Sequence, residues 1–251
     1  MEIEKSKEAL KSFLETKPEE MVSQLKIVTK DEVKNGVLYH VSKNGKLTKF
    51  IPYVSQRTLD DEDRIFPRVS TSPTLAGCLM GYQSDLSDFH RHSSGRSLEG
   101  TPVKFRGGWY VYELPFEVAV RPTKELVPDA DRSDEHWLLA YDKETAEYQG
   151  KMAGRFFYEA VTYLPDKEDT IVSVVIYAAI ESDTPVAFND KVTLTKGYWR
   201  LKVVGLHNAE SWDKIPEVNA EQISKIEYDS VKRFAASLLS LEDIQSASYR
   251  W

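Results

Sequence analysis

The sequence predicts an α+β fold with short helices, several strands and a strand-rich second half. Three observations predict it. Apolar residues recur at helical spacing over residues 2–16. Aromatic and β-branched runs, such as residues 171–180, are typical of strands, and turn signals such as Lys34-Asn35-Gly36 separate the runs. With 251 residues, the chain is long enough for one large domain or two small ones.

Composition and charge exclude several classes of protein. The 33 basic and 40 acidic residues give a net charge of −7, which disfavours non-specific binding of nucleic acid or membranes. No apolar run approaches the ~18 residues of a membrane helix, and the charged N-terminus lacks the apolar core of a signal peptide. Because Cys78 is the one cysteine, no intrachain disulfide and no Cys-based zinc site can form. We therefore expect a cytoplasmic protein that does not bind membranes.

Periodicity and turn signals predict the elements in chain order. An amphipathic helix covers residues 2–16, and Pro18 followed by two acids starts a second helix that ends before residues 34–36. Ser72-Pro73 starts a third helix, with serine as the N-cap and proline at the first helical position. We predict strands at residues 37–42, 68–72, 109–114, 134–141, 171–180 and 198–206, and a last helix over residues 220–241.

The texture of the sequence changes after about Asp142, where long aromatic and aliphatic runs begin. We predict three segments: N-terminal helices at residues 1–35, a core at residues 36–142 and an α+β extension at residues 143–251. The extension is either a second domain or continuous with the core.

Several common site motifs do not occur. The sequence has no phosphate-binding P-loop, and no Gly-x-Gly-x-x-Gly opens a helix after a strand. It also lacks the Gly-x-Ser-x-Gly elbow and the His-Glu-x-x-His zinc motif. His90-x-His92 could ligate a metal, but no third ligand is near it in the sequence and a solvated pair is the alternative, so we predict no metal site. Cys78 lies on the apolar face of the third helix and is expected to pack in the core.

Three short segments carry a more specific signal. They are Leu38-Tyr39-His40-Val41-Ser42, Arg68-Val69-Ser70-Thr71-Ser72-Pro73-Thr74, and residues 127–137 with Glu135 near the start of a strand. In this order and spacing they resemble the ADP-ribosyltransferase superfamily, the fold shared by diphtheria-type toxins, poly-ADP-ribose polymerases and RNA 2′-phosphotransferases. The resemblance covers about residues 36–141. It implies split mixed or antiparallel sheets flanked by short helices.

The resemblance also implies a function. The protein would bind NAD as its substrate and transfer ADP-ribose to a protein or nucleic acid, or hydrolyse NAD. Glu135 would be the catalytic carboxylate, because cleavage at the nicotinamide ribose passes through a cation that a carboxylate stabilises. His40 would hydrogen-bond the adenosine ribose or the nicotinamide amide. The other predicted NAD-binding residues are Arg68 at the pyrophosphate, Ser70, Thr71 and Ser72 at the wall of the cleft, and Tyr82 stacked on nicotinamide.

Each of these residues has a purely structural alternative. His40 could be a half-buried strand histidine, and Glu135 a solvated charge at the start of a strand. The remaining alternatives are Ser72 as a helix cap, Tyr82 and Trp137 as core residues, Thr71 on the opposite face of its strand, and Arg68 paired with the acidic residues 60–63.

The acceptor stays open. Toxins that modify arginine carry Gln or Glu two residues before the catalytic glutamate, and Ser133 stands there in this chain, so an arginine acceptor is not implied. The basic residues of segment 84–106 suggest that this loop recognises the acceptor. Small acidic chains of this kind are similar in style to proteins encoded by bacteriophages. Two alternatives to an enzyme are a non-catalytic module that binds a nucleotide or inhibits a partner, such as a viral anti-defence protein, and an interaction protein in which the motifs are coincidental.

Overall fold

Antiparallel strands dominate the computed structural model, which describes residues 2–54, 65–81, 104–127, 130–165, 170–207 and 217–233. Over these residues the protein is a mixed α+β fold with open antiparallel sheets, which confirms the predicted class. The chain forms two compact units. Unit 1 comprises Met1–Ser84, Val111–Met152 and Ala187–Thr193, and unit 2 comprises Asp85–Tyr110, Ala153–Val186 and Leu194–Trp251. The predicted division at residues 35 and 142 stays a prediction.

The elements of unit 1 are short. Its helices are α1 (Glu2–Leu14), α2 (Glu19–Val22), α3 (Leu75–Gly81) and α4 (Ala130–Ser133), with 3₁₀ turns at Lys30–Glu32 and Lys34–Gly36. Its strands are β1 (Leu25–Thr29), β2 (Val37–Ser42), β3 (Lys49–Phe50), β4 (Arg68–Thr71), β6 (Val118–Pro122), β7 (His136–Leu139) and β8 (Tyr148–Gln149), and β5 (Lys104–Pro115) ends in this unit.

A four-stranded sheet with the order β1-β6-β7-β4 organises unit 1. Strand β1 is antiparallel to β6, and β4 is antiparallel to β7 with Ser70 opposite Trp137 and Thr71 opposite His136. Helix α1 covers the sheet because its apolar stripe buries Leu10 and Leu14. The buried side chains they join in one core are Val118 and Val120 of β6 and Trp137 and Leu139 of β7.

Unit 2 is built on longer strands. They are β9 (Lys151–Pro165), β10 (Thr170–Ile180), β13 (Gly197–His207) and β14 (Glu217–Ile223). Their antiparallel order is β14-β13-β10-β9, and β10 pairs with β13 from Thr170 opposite His207 to Ile180 opposite Gly197. A buried aromatic group stabilises it, with the Phe157 and Tyr177 rings stacked 5.3 Å apart. Helix α5 covers residues 225–233. The two-residue strands β11 (Val186–Ala187) and β12 (Thr193–Leu194) each have one residue in unit 1 and one in unit 2.

Strand pairing overrides two of the predicted helices. The second helix was expected to continue to residue 33, but residues Leu25–Thr29 form β1, because their side chains pack when the segment pairs with β6. The last helix was expected from residue 220, but residues up to Ile223 form β14 against β13. Helix α5 starts only after Ser224, whose hydroxyl accepts the Glu227 N–H at 3.1 Å as an N-cap.

The predicted start of the third helix is also wrong by two residues. Helix α3 begins at Leu75, and the Thr74 hydroxyl accepts the Gly77 N–H at 3.1 Å. Thr74 is therefore the N-cap. The Ser72 hydroxyl accepts the Thr74 N–H at 3.3 Å instead, which shapes the turn before the helix. The strand predicted from residue 134 begins at His136, because α4 and a left-handed Asp134 (φ 45°) precede it.

Candidate functional site

The strands that carry the first two motifs meet at one point of unit 1. Tyr39 and Ser72 form an isolated antiparallel bridge, in which the Tyr39 N–H donates to the Ser72 carbonyl at 2.8 Å and the Ser72 N–H returns a bond at 3.0 Å. The neighbouring His40 ring lies with Nδ1 2.9 Å from the Ser70 carbonyl oxygen. The bridge thus brings the His40 side chain onto the Ser70-Thr71-Ser72 run.

His40 is held as a neutral acceptor. A carbonyl oxygen can only accept, so the bond to Ser70 requires a proton on Nδ1 and leaves Nε2 as the lone-pair nitrogen of the neutral ring. Burial lowers the pKa of His40, and the bond to the Ser70 carbonyl opposes this in part. The ring is half-buried, with its centre 5.2 Å from that of the Phe50 ring in an edge arrangement. At neutral pH this nitrogen can accept a bond from an amide or hydroxyl group.

The Ser-Thr-Ser run divides between surface and interior. Ser70 is exposed, whereas Thr71 and Ser72 are buried. Thr71 follows its structural alternative: alternation along β4 turns it to the other face, and its hydroxyl donates to the His136 carbonyl at 2.8 Å. Ser72 has no exposed surface. Of the three residues, Ser70 alone can reach a ligand directly.

Glu135 immediately precedes β7, the strand paired with β4. Its side chain is half-buried, and Oε1 accepts the indole N–H of Trp137 at 2.8 Å. The Glu135 backbone N–H donates to the Ala130 carbonyl at 3.2 Å, which ties the residue to helix α4. Glu135 is therefore held in place by a bond to its carboxylate and by a bond from its backbone.

Arg68 lies over the face of the same indole. Its guanidinium carbon is 4.2 Å from the centre of the Trp137 ring, and Nη1 is 3.4 Å from the Phe66 carbonyl. Arg68 is buried, with 6% of its surface accessible to solvent. The predicted contact with a pyrophosphate stays a prediction, and its alternative partners at residues 60–63 lie outside the described residues.

The Cys78 side chain contacts β2, the strand that carries His40. Its thiol is buried, as predicted, and donates to the Tyr39 carbonyl at 3.1 Å. Burial raises the pKa of Cys78 to about 12, and the negative charge of Glu135 adds to the increase. The high pKa makes Cys78 a packing residue rather than a nucleophile.

Sequence reasoning missed one contact of the candidate site, the bond from Trp137 to Glu135. The prediction that it packs in the core is correct, since it has no exposed surface. Its indole N–H nevertheless donates a hydrogen bond to the Glu135 carboxylate. The available signal was the spacing: residues two apart on a strand share a face, so Glu-x-Trp at a strand start can place the N–H on the carboxylate.

Some predicted residues fall elsewhere. Tyr82, the His90-x-His92 pair and residues 84–103 of the predicted acceptor loop lie outside the described residues. Within the described part, no group of three or more His, Cys, Asp or Glu side chains could hold a metal ion. No described helix has the length and apolar character to cross a membrane. Comparisons with protein-family models, curated proteins and solved structures find no match to this chain.

Proposed function

We propose that unit 1 binds NAD and transfers ADP-ribose to a protein or nucleic acid, or hydrolyses NAD. One observation carries the proposal. The strand that follows Glu135 pairs directly with the strand of the Ser-Thr-Ser run, and His40 is hydrogen-bonded to that run. The three motifs are distant in sequence but adjacent in the fold. The proposal includes an ADP-ribosyltransferase-like arrangement of the sheets, which this adjacency supports.

The reaction suits the residues at these places. The bond between ribose C1′ and the nicotinamide nitrogen breaks, and its electron pair leaves with nicotinamide. The ribose is left with oxocarbenium character, which the Glu135 carboxylate stabilises while it accepts a bond from the 2′-hydroxyl. A nucleophilic oxygen or nitrogen of the acceptor, or water, then forms the new bond to C1′ and loses its proton. Nε2 of the neutral His40 would accept the carboxamide N–H or an adenosine ribose hydroxyl.

The test is nicotinamide release from NAD by the full chain and by Glu135→Gln. The glutamine carbonyl can still accept the Trp137 N–H, so the variant removes the charge and keeps the anchor. We expect kcat to fall by about 10²–10³-fold, the loss from one preorganised electrostatic group. Glu144→Gln is the matched control, because Glu144 is exposed in unit 1. Equal turnover in wild type and Glu135→Gln would remove Glu135 from the mechanism.

A second candidate function is a non-catalytic nucleotide-binding module. The observation that favours it is a difference between binding and catalytic groups: Ser70 is exposed and His40 Nε2 can accept a bond, whereas the Glu135 carboxylate already accepts the Trp137 N–H. Calorimetry distinguishes the two candidates. Heat of NAD binding without nicotinamide release favours the module, whereas absence of binding contradicts both candidates.

A further inference from the structure

Three residues of the β4–β7 region form a continuous chain of contacts. The Arg68 guanidinium lies over the Trp137 ring, with 4.2 Å from its carbon to the ring centre. The indole N–H of Trp137 donates to Glu135 Oε1 at 2.8 Å. A cation, an aromatic ring and a carboxylate therefore follow one another across two paired strands.

The order of charges makes this chain electrostatically favourable. A cation over an aromatic face is attracted to the ring and draws electron density toward itself. The indole N–H then becomes a better donor to an anion. Arg68 and Trp137 are almost completely buried. Electrostatic interactions are stronger in the protein interior than at the surface. The Arg68 cation thus stabilises the Glu135 carboxylate through the Trp137 ring.

The bond to the indole orients the carboxylate without exhausting it. A carboxylate has about four lone-pair positions, so Oε1 can accept the N–H while the group still accepts a ribose hydroxyl. Trp137 itself is fixed, since its ring packs in the core beside Phe66 with the centres 6.1 Å apart. A donor on a rigid ring is a better guide for a reacting group than a donor on a loop.

We propose that Trp137 is the positioning residue of Glu135, and that Arg68, stacked over the ring face, strengthens the Trp137 N–H bond. The proposal rests on the proposed function, because it assigns how the catalytic carboxylate is held. It also gives Arg68 a role that does not require contact with NAD. The two roles of Arg68 differ in kinetics: a ligand of the pyrophosphate affects the KM for NAD, whereas a group stacked on Trp137 affects kcat.

The experiment measures steady-state NAD turnover by the full chain in four forms: wild type, Trp137→Phe, Glu135→Gln and the double variant. We expect Trp137→Phe to lower kcat by about 10- to 100-fold, as expected for one hydrogen bond to a charged group, with the KM for NAD unchanged. In the Glu135→Gln background the same substitution should have no further effect on kcat. A merely structural role for Trp137 would lower both backgrounds equally.

Two further variants protect the test against misfolding. Replacement of Trp137 by benzothienylalanine keeps the shape of the ring and removes only the N–H, and it should reproduce the loss of kcat. Trp199→Phe is the matched control in unit 2, since it loses an indole bond of the same 2.8 Å length to the Thr195 carbonyl and should keep full activity.

A separate variant tests Arg68. Arg68→Met should lower kcat less than Trp137→Phe does, again without a change in KM.

The outcomes separate the two proposals. Wild-type protein that releases no nicotinamide overturns the proposed function and this inference together. Active wild type with an equally active benzothienylalanine variant overturns only the role of Trp137. A raised KM in Arg68→Met with kcat unchanged overturns the role of Arg68 and favours a direct contact with NAD.

Discussion

The β4–β7 region of unit 1 and the surface of unit 2 place their polar side chains differently. In unit 1, polar groups of the β4–β7 region are buried and bonded to the backbone, as the Thr71 hydroxyl is to the His136 carbonyl. In unit 2, opposite charges pair at exposed positions, as Lys196 does with Asp183 at 2.7 Å, where the side chains keep 63% and 80% of their accessible surface. Similar bond lengths therefore occur in opposite surroundings.

The comparison shows which polar side chains the fold holds in one position and which can exchange their partner for water. A buried polar group that loses its partner retains the cost of its desolvation, so the fold holds it in one place. An exposed ion pair exchanges its partner for water and is screened by salt, so it contributes little. A site that must hold a carboxylate in one orientation fits the first region. Four residues form what we name the polar seam: Thr71, Ser72, Ser133 and His136.

The largest expected effect tests how tightly the polar seam packs. In Gly77→Ala, the added Cβ would lie 2.1 Å from the Ser72 hydroxyl and 2.3 Å from the Ser133 carbonyl, so the backbone must shift. We expect a loss of about 3 kcal/mol in the free energy of unfolding, measured by urea denaturation. Alanine is normally the better helix former by about 1 kcal/mol, so a stabilised variant would contradict the close packing.

A smaller effect compares the two surroundings directly. Thr71→Val removes a buried hydroxyl whose 2.8 Å bond satisfies the His136 carbonyl, and we expect a loss of about 1–3 kcal/mol in unfolding free energy. Lys196→Gln removes a 2.7 Å bond at the surface of unit 2 and should leave the urea midpoint unchanged. Equal losses in the two variants would show that burial does not distinguish the regions.

The smallest effect is a dependence of stability on pH. Burial lowers the pKa of His136 and of His40 below the usual value of about 6.5. In the range between the folded and the unfolded pKa, the unfolded chain binds more protons, so stability falls as the pH falls. Their contribution is complete above about pH 6.5. We expect urea midpoints to decrease from pH 7.5 to 5.5, and to decrease less in His40→Gln. Midpoints that rise toward pH 5.5 would contradict the shifts.

The sequence predicted elements well where the local pattern and the final pairing agree. Strand β2 covers Val37–Ser42 as expected, and α1 begins and ends close to its predicted bounds. Prediction failed at Leu25–Thr29 and at residues 220–223, where partner strands outweigh local preference. The local sequence does not show which strand a segment will pair with. Such segments are therefore assigned from neighbouring helix signals alone.

The candidate site divides in the same way. The sequence by itself determined its chemistry: a histidine on one strand, a Ser-Thr-Ser run on another and a glutamate at the start of a third. Only the tertiary structure decided that Ser72 is sealed inside, that Ser70 is exposed and that Glu135 is held by Trp137. The physical reason is that residue type fixes what a group can donate, accept or carry, whereas burial and orientation depend on strands that are distant in the chain and meet only on folding.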